Sequence, residues 1–207
     1  IKSPYDFLDN DHHANDRNGH GTHVASTIFE TTNNGIGVTG IAYGATLMPL
    51  RALNSRGLGD EATVSRAIRY AANRGANVIN LSVGEPEVEP SRDIVALALD
   101  GAADAGVVPV VAAGNDFEEF GRGTLSSPGS SDKAITVAAV TSPSSGKVNM
   151  AWFSSAGPTP ISLRLKPDVS APGVSILSSV PDGGWQSWNG TSMASPHAAG
   201  TAALYLA

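Results

Sequence analysis

Apolar and polar positions follow two rhythms along this chain. Residues 45–53, 76–83, 107–113 and 135–140 are short runs rich in Val, Ile, Leu and Ala, the pattern of strands covered on both faces. Between them lie Ala-rich stretches of helical period. Asp60 stands as an N-cap before a helix reaching about Arg74, with Val64, Ala67, Ile68 and Ala71 on one face and Gly75 as its stop. A second helix is expected over residues 91–105, closed by Gly106, and two more starting near His20 and near Ser192. Residues 116–131 read as a polar loop and residues 141–146 as a turn. Strands separated by helices predict an α/β fold, a three-layer sandwich with a mainly parallel sheet between helices.

Composition narrows the function classes. The 207 residues, 41% hydrophobic and 15% charged, suffice for one domain with a buried core. A net charge of −6 gives no electrostatic case for binding nucleic acid or an anionic membrane surface. No apolar run is long enough to span a bilayer, and the absence of Cys excludes disulfide and thiolate chemistry. The first eleven residues lack the apolar core of a leader peptide. The last helix is expected to be interrupted by the chain end at Ala207, so the domain reads as truncated.

Three segments carry chemistry. Asn18-Gly19-His20-Gly21-Thr22-His23 sets a His at the opening of a helix. Gly190-Thr191-Ser192-Met193-Ala194-Ser195-Pro196-His197 sets a Ser at the opening of another. Val111-Ala112-Ala113-Gly114-Asn115 delivers an Asn from the end of a strand. Acyl transfer needs these types: a Ser is a weak nucleophile until a base takes its proton, and imidazole titrates near neutrality. The developing oxyanion then needs donors, such as a backbone N–H at a helix start and a side-chain amide. His23 and His197, one turn into their helices, read as structural. Zinc is disfavoured because His20 and His23 stand at i, i+3 without an HExxH pattern. Residues 35–40 fit G-x-G-x-x-G literally, but the order helix, loop, strand fails the dinucleotide context.

Taken in order, these segments resemble the subtilisin family, as do residues 78–84, 153–158 and 166–173. The resemblance implies a secreted, extracellular serine endopeptidase acting on peptides and proteins, made with a propeptide. It implies His20 as general base, Ser192 as nucleophile, and Asn115 with the Ser192 N–H as the oxyanion hole, Thr191 supporting the turn. Gly57-Leu58-Gly59 and Ser82-Val83-Gly84 match the segments that flank an extended substrate. The second of these, with Ala112-Ala113-Gly114, would wall the primary specificity pocket. The loop around residues 33–38 resembles the family's calcium loop, with the Asn34 side chain and the carbonyls of Thr32, Ile36 and Val38 as ligands of a structural Ca²⁺. Ser127-Pro128 falls where the family has a cis proline.

One element departs from the family. Its order is Asp, His, Ser, with the Asp about thirty residues before the His, yet only nineteen positions precede His20 and none lies in an Asp-Thr-Gly strand. Asp6, Asp9, Asp11 and Asp16 read as turn and capping residues, and no catalytic Asp is assigned. A non-catalytic subtilisin-fold module, binding peptides or serving structurally, therefore remains an open alternative.

Overall fold

The computed structural model describes residues 1–142 and 146–207; the expected turn at residues 141–146 lies partly outside them. Four parallel strands form the main sheet in the order β3 (Val78–Leu81), β4 (Val108–Ala112), β5 (Ile135–Val140) and β6 (Val169–Pro172). They are preceded by a small parallel pair, β1 (Tyr5–Asp6) with β2 (Leu50–Arg51), and followed by an antiparallel hairpin, β7 (Ile176–Val180) with β8 (Gly184–Trp188). The helices are α1 (His20–Phe29), α2 (Glu61–Asn73), α3 (Ile94–Asp104), the short α4 (Phe117–Phe120) and α5 (Thr191–Tyr205).

Alternation along β4 builds the layers. Val110 faces a core containing Ile28 of α1, Val137 and Ala139 of β5, and Ala194 and Ala199 of α5. Val111 points to the other side, among Val64, Ile68 and Ala71 of α2 and Val95, Leu99 and Ala102 of α3. The expected three-layer α/β sandwich is the architecture found. Leu99 is wholly buried in the second core. Leu99→Ala should therefore cost about 2–5 kcal/mol, read as a lower urea midpoint at unchanged slope.

The predicted helix after Asp60 forms as read: the Asp60 side chain accepts from the Thr63 N–H, and the helix ends just before Gly75. The other helix starts shift slightly. Asp93, rather than Ser91, caps α3, with a 3₁₀ turn over Pro90–Arg92 before it. Residues 45–53 give only the two-residue β2, because β1 offers just two residues to pair with. Within the expected loop of residues 116–131 lies α4.

Candidate active site

Parallel pairing puts the carboxyl ends of β3 and β4 side by side, and such ends are where open α/β sheets place their sites. Ser82-Val83-Gly84 leaves β3 there, and Ala113-Gly114-Asn115 leaves β4. Gly114 must be Gly: its φ is +106°, and a Cβ would lie 2.7 Å from the Ser126 Oγ and 2.8 Å from the Ser155 Oγ.

The first turn of α5 is pinned between these two strand ends. Pro196 sits inside the helix and has no N–H to offer the carbonyl four residues back, that of Ser192. The Ser82 hydroxyl donates to that carbonyl instead, at 3.0 Å, while the Ser192 hydroxyl donates to the Ser82 carbonyl at 3.2 Å. Asn80 extends the link: its Nδ2 donates to the Ser82 Oγ at 3.1 Å, and its Oδ1 accepts from the Ser195 hydroxyl at 2.7 Å. Sequence reading missed Asn80, Ser195 and Pro196, although a Pro five positions into a helix was a visible signal of a freed carbonyl.

On the other side, the Asn115 Oδ1 accepts from the Thr191 N–H at 2.9 Å and the Thr191 hydroxyl at 3.1 Å. A backbone N–H can only donate, so this contact identifies the amide oxygen. The Asn115 Nδ2 therefore takes part in neither of these bonds. Thr191 is wholly buried and also accepts from the Gly114 N–H at 3.1 Å.

These elements border a cleft of about 290 Å³ whose walls include Val83, Gly84, Glu85, Ala112, Asn115, Asp116, Ser126 and Ser192. Ala113, expected among the walls, is instead wholly buried behind them, its carbonyl accepting from the Ser126 N–H at 3.1 Å. Ser127–Pro128 beside the cleft is cis, as are Gly157–Pro158 and Lys166–Pro167. Burial first, then the charges of Glu61 and Asp93, push the Glu85 carboxyl above its usual range.

His20 opens α1. His23 stacks on Trp188, ring centroids 4.4 Å apart, just before α5, while a Cβ on Gly200 would meet Ile28 Cγ2 at 3.8 Å. The two helices therefore run the same way and begin at the same end of the molecule. The expected substrate segment Gly57-Leu58-Gly59 lies on the His20 side: Asn18, whose Oδ1 accepts from the His20 N–H at 3.3 Å, donates from Nδ2 to the Ser55 carbonyl at 3.1 Å. These three residues do not line the 290 Å³ cleft.

Among the described residues the His20 imidazole makes no hydrogen bond, to Ser192 or to any carboxylate. Burial first, then the neighbouring His23, lowers its pKa below the ordinary value, against an opposing pull from Asp16. Asp16 is occupied as a cap: Oδ1 accepts from the Asn18 and Gly19 N–H groups, and Oδ2 from the Thr22 N–H and hydroxyl at 2.7 Å each. Burial raises its pKa, but these bonds outweigh it and the net shift is down. Asp6 is spent on Arg51, 2.6 Å away. His23 is structural in the sense expected: wholly buried, its Nε2 donates to the Ile176 and Gln186 carbonyls at 3.1 Å.

The candidate metal loop offers neutral oxygens. The Asn34 Oδ1 accepts from the Ile36 N–H at 3.2 Å, and Ile36 is exposed. The nearest carboxylate in sequence before the loop, Glu30, accepts from the Ser179 hydroxyl at 2.5 Å. Among the described residues no cluster of three His, Cys, Asp or Glu gathers anywhere. Calcium is usually held with carboxylates in its shell, so Thr32, Asn34, Ile36 and Val38 do not by themselves fit a calcium site.

Known proteins resemble this chain over nearly its whole length. Subtilisin DY of Bacillus licheniformis is 40% identical over 200 residues, covering 97% of this chain and 68% of its own length. Subtilisin E of Bacillus subtilis (strain 168) is 40% identical over 191 residues, covering 92% of this chain, which spans 46% of that protein. Among solved structures, S41 psychrophilic protease superposes with a TM-score of 0.84 at 35% identity, over 98% of this chain and 70% of that one. Sphericase gives 0.83 at 32%, over 97% and 68%. The subtilase family itself matches residues 1–207. With a mainly parallel sheet matched across nearly the whole chain by solved proteinases, and the subtilase family model matching residues 1–207, the chain belongs to the subtilase family of serine peptidases.

Proposed function

We propose that this chain carries the nucleophile, the base and the oxyanion donors of a secreted endopeptidase that cleaves peptide bonds through an acyl-enzyme. The observation that carries this reading is the Thr191–Asn115 contact, which spends the amide oxygen on the start of α5 and leaves the N–H₂ free to donate. Ser192 turns its hydroxyl from the Ser82 carbonyl and gives the proton to His20 as Oγ bonds to the substrate carbonyl carbon. The oxyanion forms against the Asn115 Nδ2 and the Ser192 N–H. The C–N bond then breaks, His20 returning the proton to the leaving amine. Water, deprotonated by His20, releases the acyl group and restores Ser192.

Substrate enters as an extended chain along Ser82-Val83-Gly84, main chain to main chain, with its P1 side chain in the cleft. Two effects compete there. A basic P1 side chain meets Glu85 and Asp116 at a partly solvated rim, worth about 0–1 kcal/mol. An apolar one is buried against Val83 and Ala112, worth about 1.5–3 kcal/mol. Phe and Leu are therefore preferred at P1, with Lys and Arg tolerated. A peptide series varying only at P1, assayed at two salt concentrations, checks the ranking; Arg exceeding Phe in kcat/KM at both would reverse it.

Reaction with a fluorophosphonate tests the reading itself, since only a base-activated Ser reacts readily. Intact-mass and peptide mapping should place the adduct on Ser192. Peptide binding without any adduct would instead support the non-catalytic module, and an adduct on Ser195 would move the nucleophile.

A further inference from the structure

Asp93 is 1% exposed and enters no ion pair among the described residues. Its two oxygens do different things. Oδ1 caps α3, accepting from the Val95 N–H at 3.1 Å and the Ala96 N–H at 2.8 Å. A Ser or Thr would do this without burying a second polar oxygen. Oδ2 accepts from the hydroxyl of Ser127, which is itself wholly buried.

Ser127 is where two walls of the cleft meet. Its N–H donates to the Glu85 carbonyl at 2.8 Å, and the Glu85 N–H donates to the Ser127 carbonyl at 2.9 Å. Glu85 and the adjoining Ser126 both face the cleft. The fit between the walls is tight: a Cβ on Gly84 would lie 2.8 Å from the Ser126 Oγ. One carboxylate outside the cleft thus ties both walls to the end of α3, and its charge is near enough to raise Glu85.

We propose that Asp93 is a positioning residue for the substrate cleft, holding Ser127 so that the Glu85–Ser127 pairing fixes the cleft's width and its selectivity between P1 side chains. The proposal rests on the peptidase reading for the identity of the cleft, but its test does not require turnover. In the Ser192→Ala chain, two fluorescent peptides differing only in Phe or Ala at P1 are titrated by polarisation. Without further change, Phe should bind about tenfold tighter or more. Asp93→Ser keeps a cap for α3 but cannot reach Ser127, and Ser127→Ala removes the hydroxyl. Each should cut the Phe-to-Ala ratio by about fivefold, the scale of a slightly misfitted apolar pocket. Asp93→Asn retains the cap and can donate from its amide to the Ser127 Oγ, so it should restore the ratio.

Parental ratios in both Asp93→Ser and Ser127→Ala would reduce Asp93 to a cap and overturn the proposal. If Asp93→Ser does not fold, Ser127→Ala and Asp93→Asn decide it. Binding of neither peptide to the Ser192→Ala chain overturns both this proposal and the P1 assignment of the cleft. Selective binding lost in the two variants, while the unsubstituted chain takes no fluorophosphonate on Ser192, upholds this proposal and removes only the hydrolytic reading.

Discussion

Ser192→Ala in this 207-residue chain is expected to lower kcat by only about 10², not by the ~10⁶ that the same change costs in subtilisin. The reason is that members of a triad act as a unit and their losses do not add. In subtilisin, removing the Asp alone costs ~3 × 10⁴, and removing Ser or His costs ~2 × 10⁶, about as much as removing all three. His20 has no carboxylate on its imidazole among the described residues, and Asp16 and Asp6 are spent elsewhere. The unsubstituted chain should thus already stand ~10⁴ down, leaving roughly 10² to lose. The kcat on one ester substrate, per mole of folded protein, measures it. A fall near 10⁶ would mean that a carboxylate does reach His20.

The pH profile tests the same point independently. Burial and His23 hold the His20 pKa below its ordinary 6.5, and the base works only when neutral. The rate should therefore rise with pH through a midpoint below 6.5 and be lost on acidification beneath it. A carboxylate against the ring would stabilise the imidazolium and move that midpoint up.

Legibility of the chain followed the range of the forces involved. The helix after Asp60 depends on a cap three residues from its partner and on Val64, Ala67, Ile68 and Ala71 sharing one face, all local and all readable. The strand Ile135–Val140 is a continuous apolar run and was placed to the residue. The hairpin β7–β8 was not anticipated, because its buried side depends on Ser178, a wholly buried hydroxyl that donates to the His23 carbonyl. Nothing in a mixed run such as Ile176-Leu177-Ser178-Ser179-Val180 announces such a partner 155 residues away. The site divides in the same way. His20, Asn115 and Ser192 were legible through the resemblance of their segments to the subtilisin family, since Gly19 and Gly190 open α1 and α5 without any side-chain cap. The reciprocal Ser82–Ser192 contacts, and Ala113's place behind the wall, arise only when β3, β4 and α5 converge.

Asn115→Asp should lower kcat by about 10²–10³ with KM nearly unchanged, the scale known for the equivalent donor in subtilisin. Asp is the informative replacement because Asn115 has two roles. Its Oδ1 holds the Thr191 N–H, and truncation to Ala would leave that buried donor unpaired. Asp keeps that acceptor and its shape while replacing the Nδ2 donor with an oxygen that repels the forming oxyanion. A transition-state interaction lost alone lowers kcat and kcat/KM together, whereas a distorted cleft would raise KM. In this chain the effect should rival that of Ser192→Ala, because what catalysis survives without a triad carboxylate comes largely from the oxyanion hole and binding. Steady-state kinetics on one peptide ester, with the melting temperature as a check on folding, measures both parameters. Unchanged kcat at an unchanged melting temperature would take the amide of Asn115 out of the oxyanion hole.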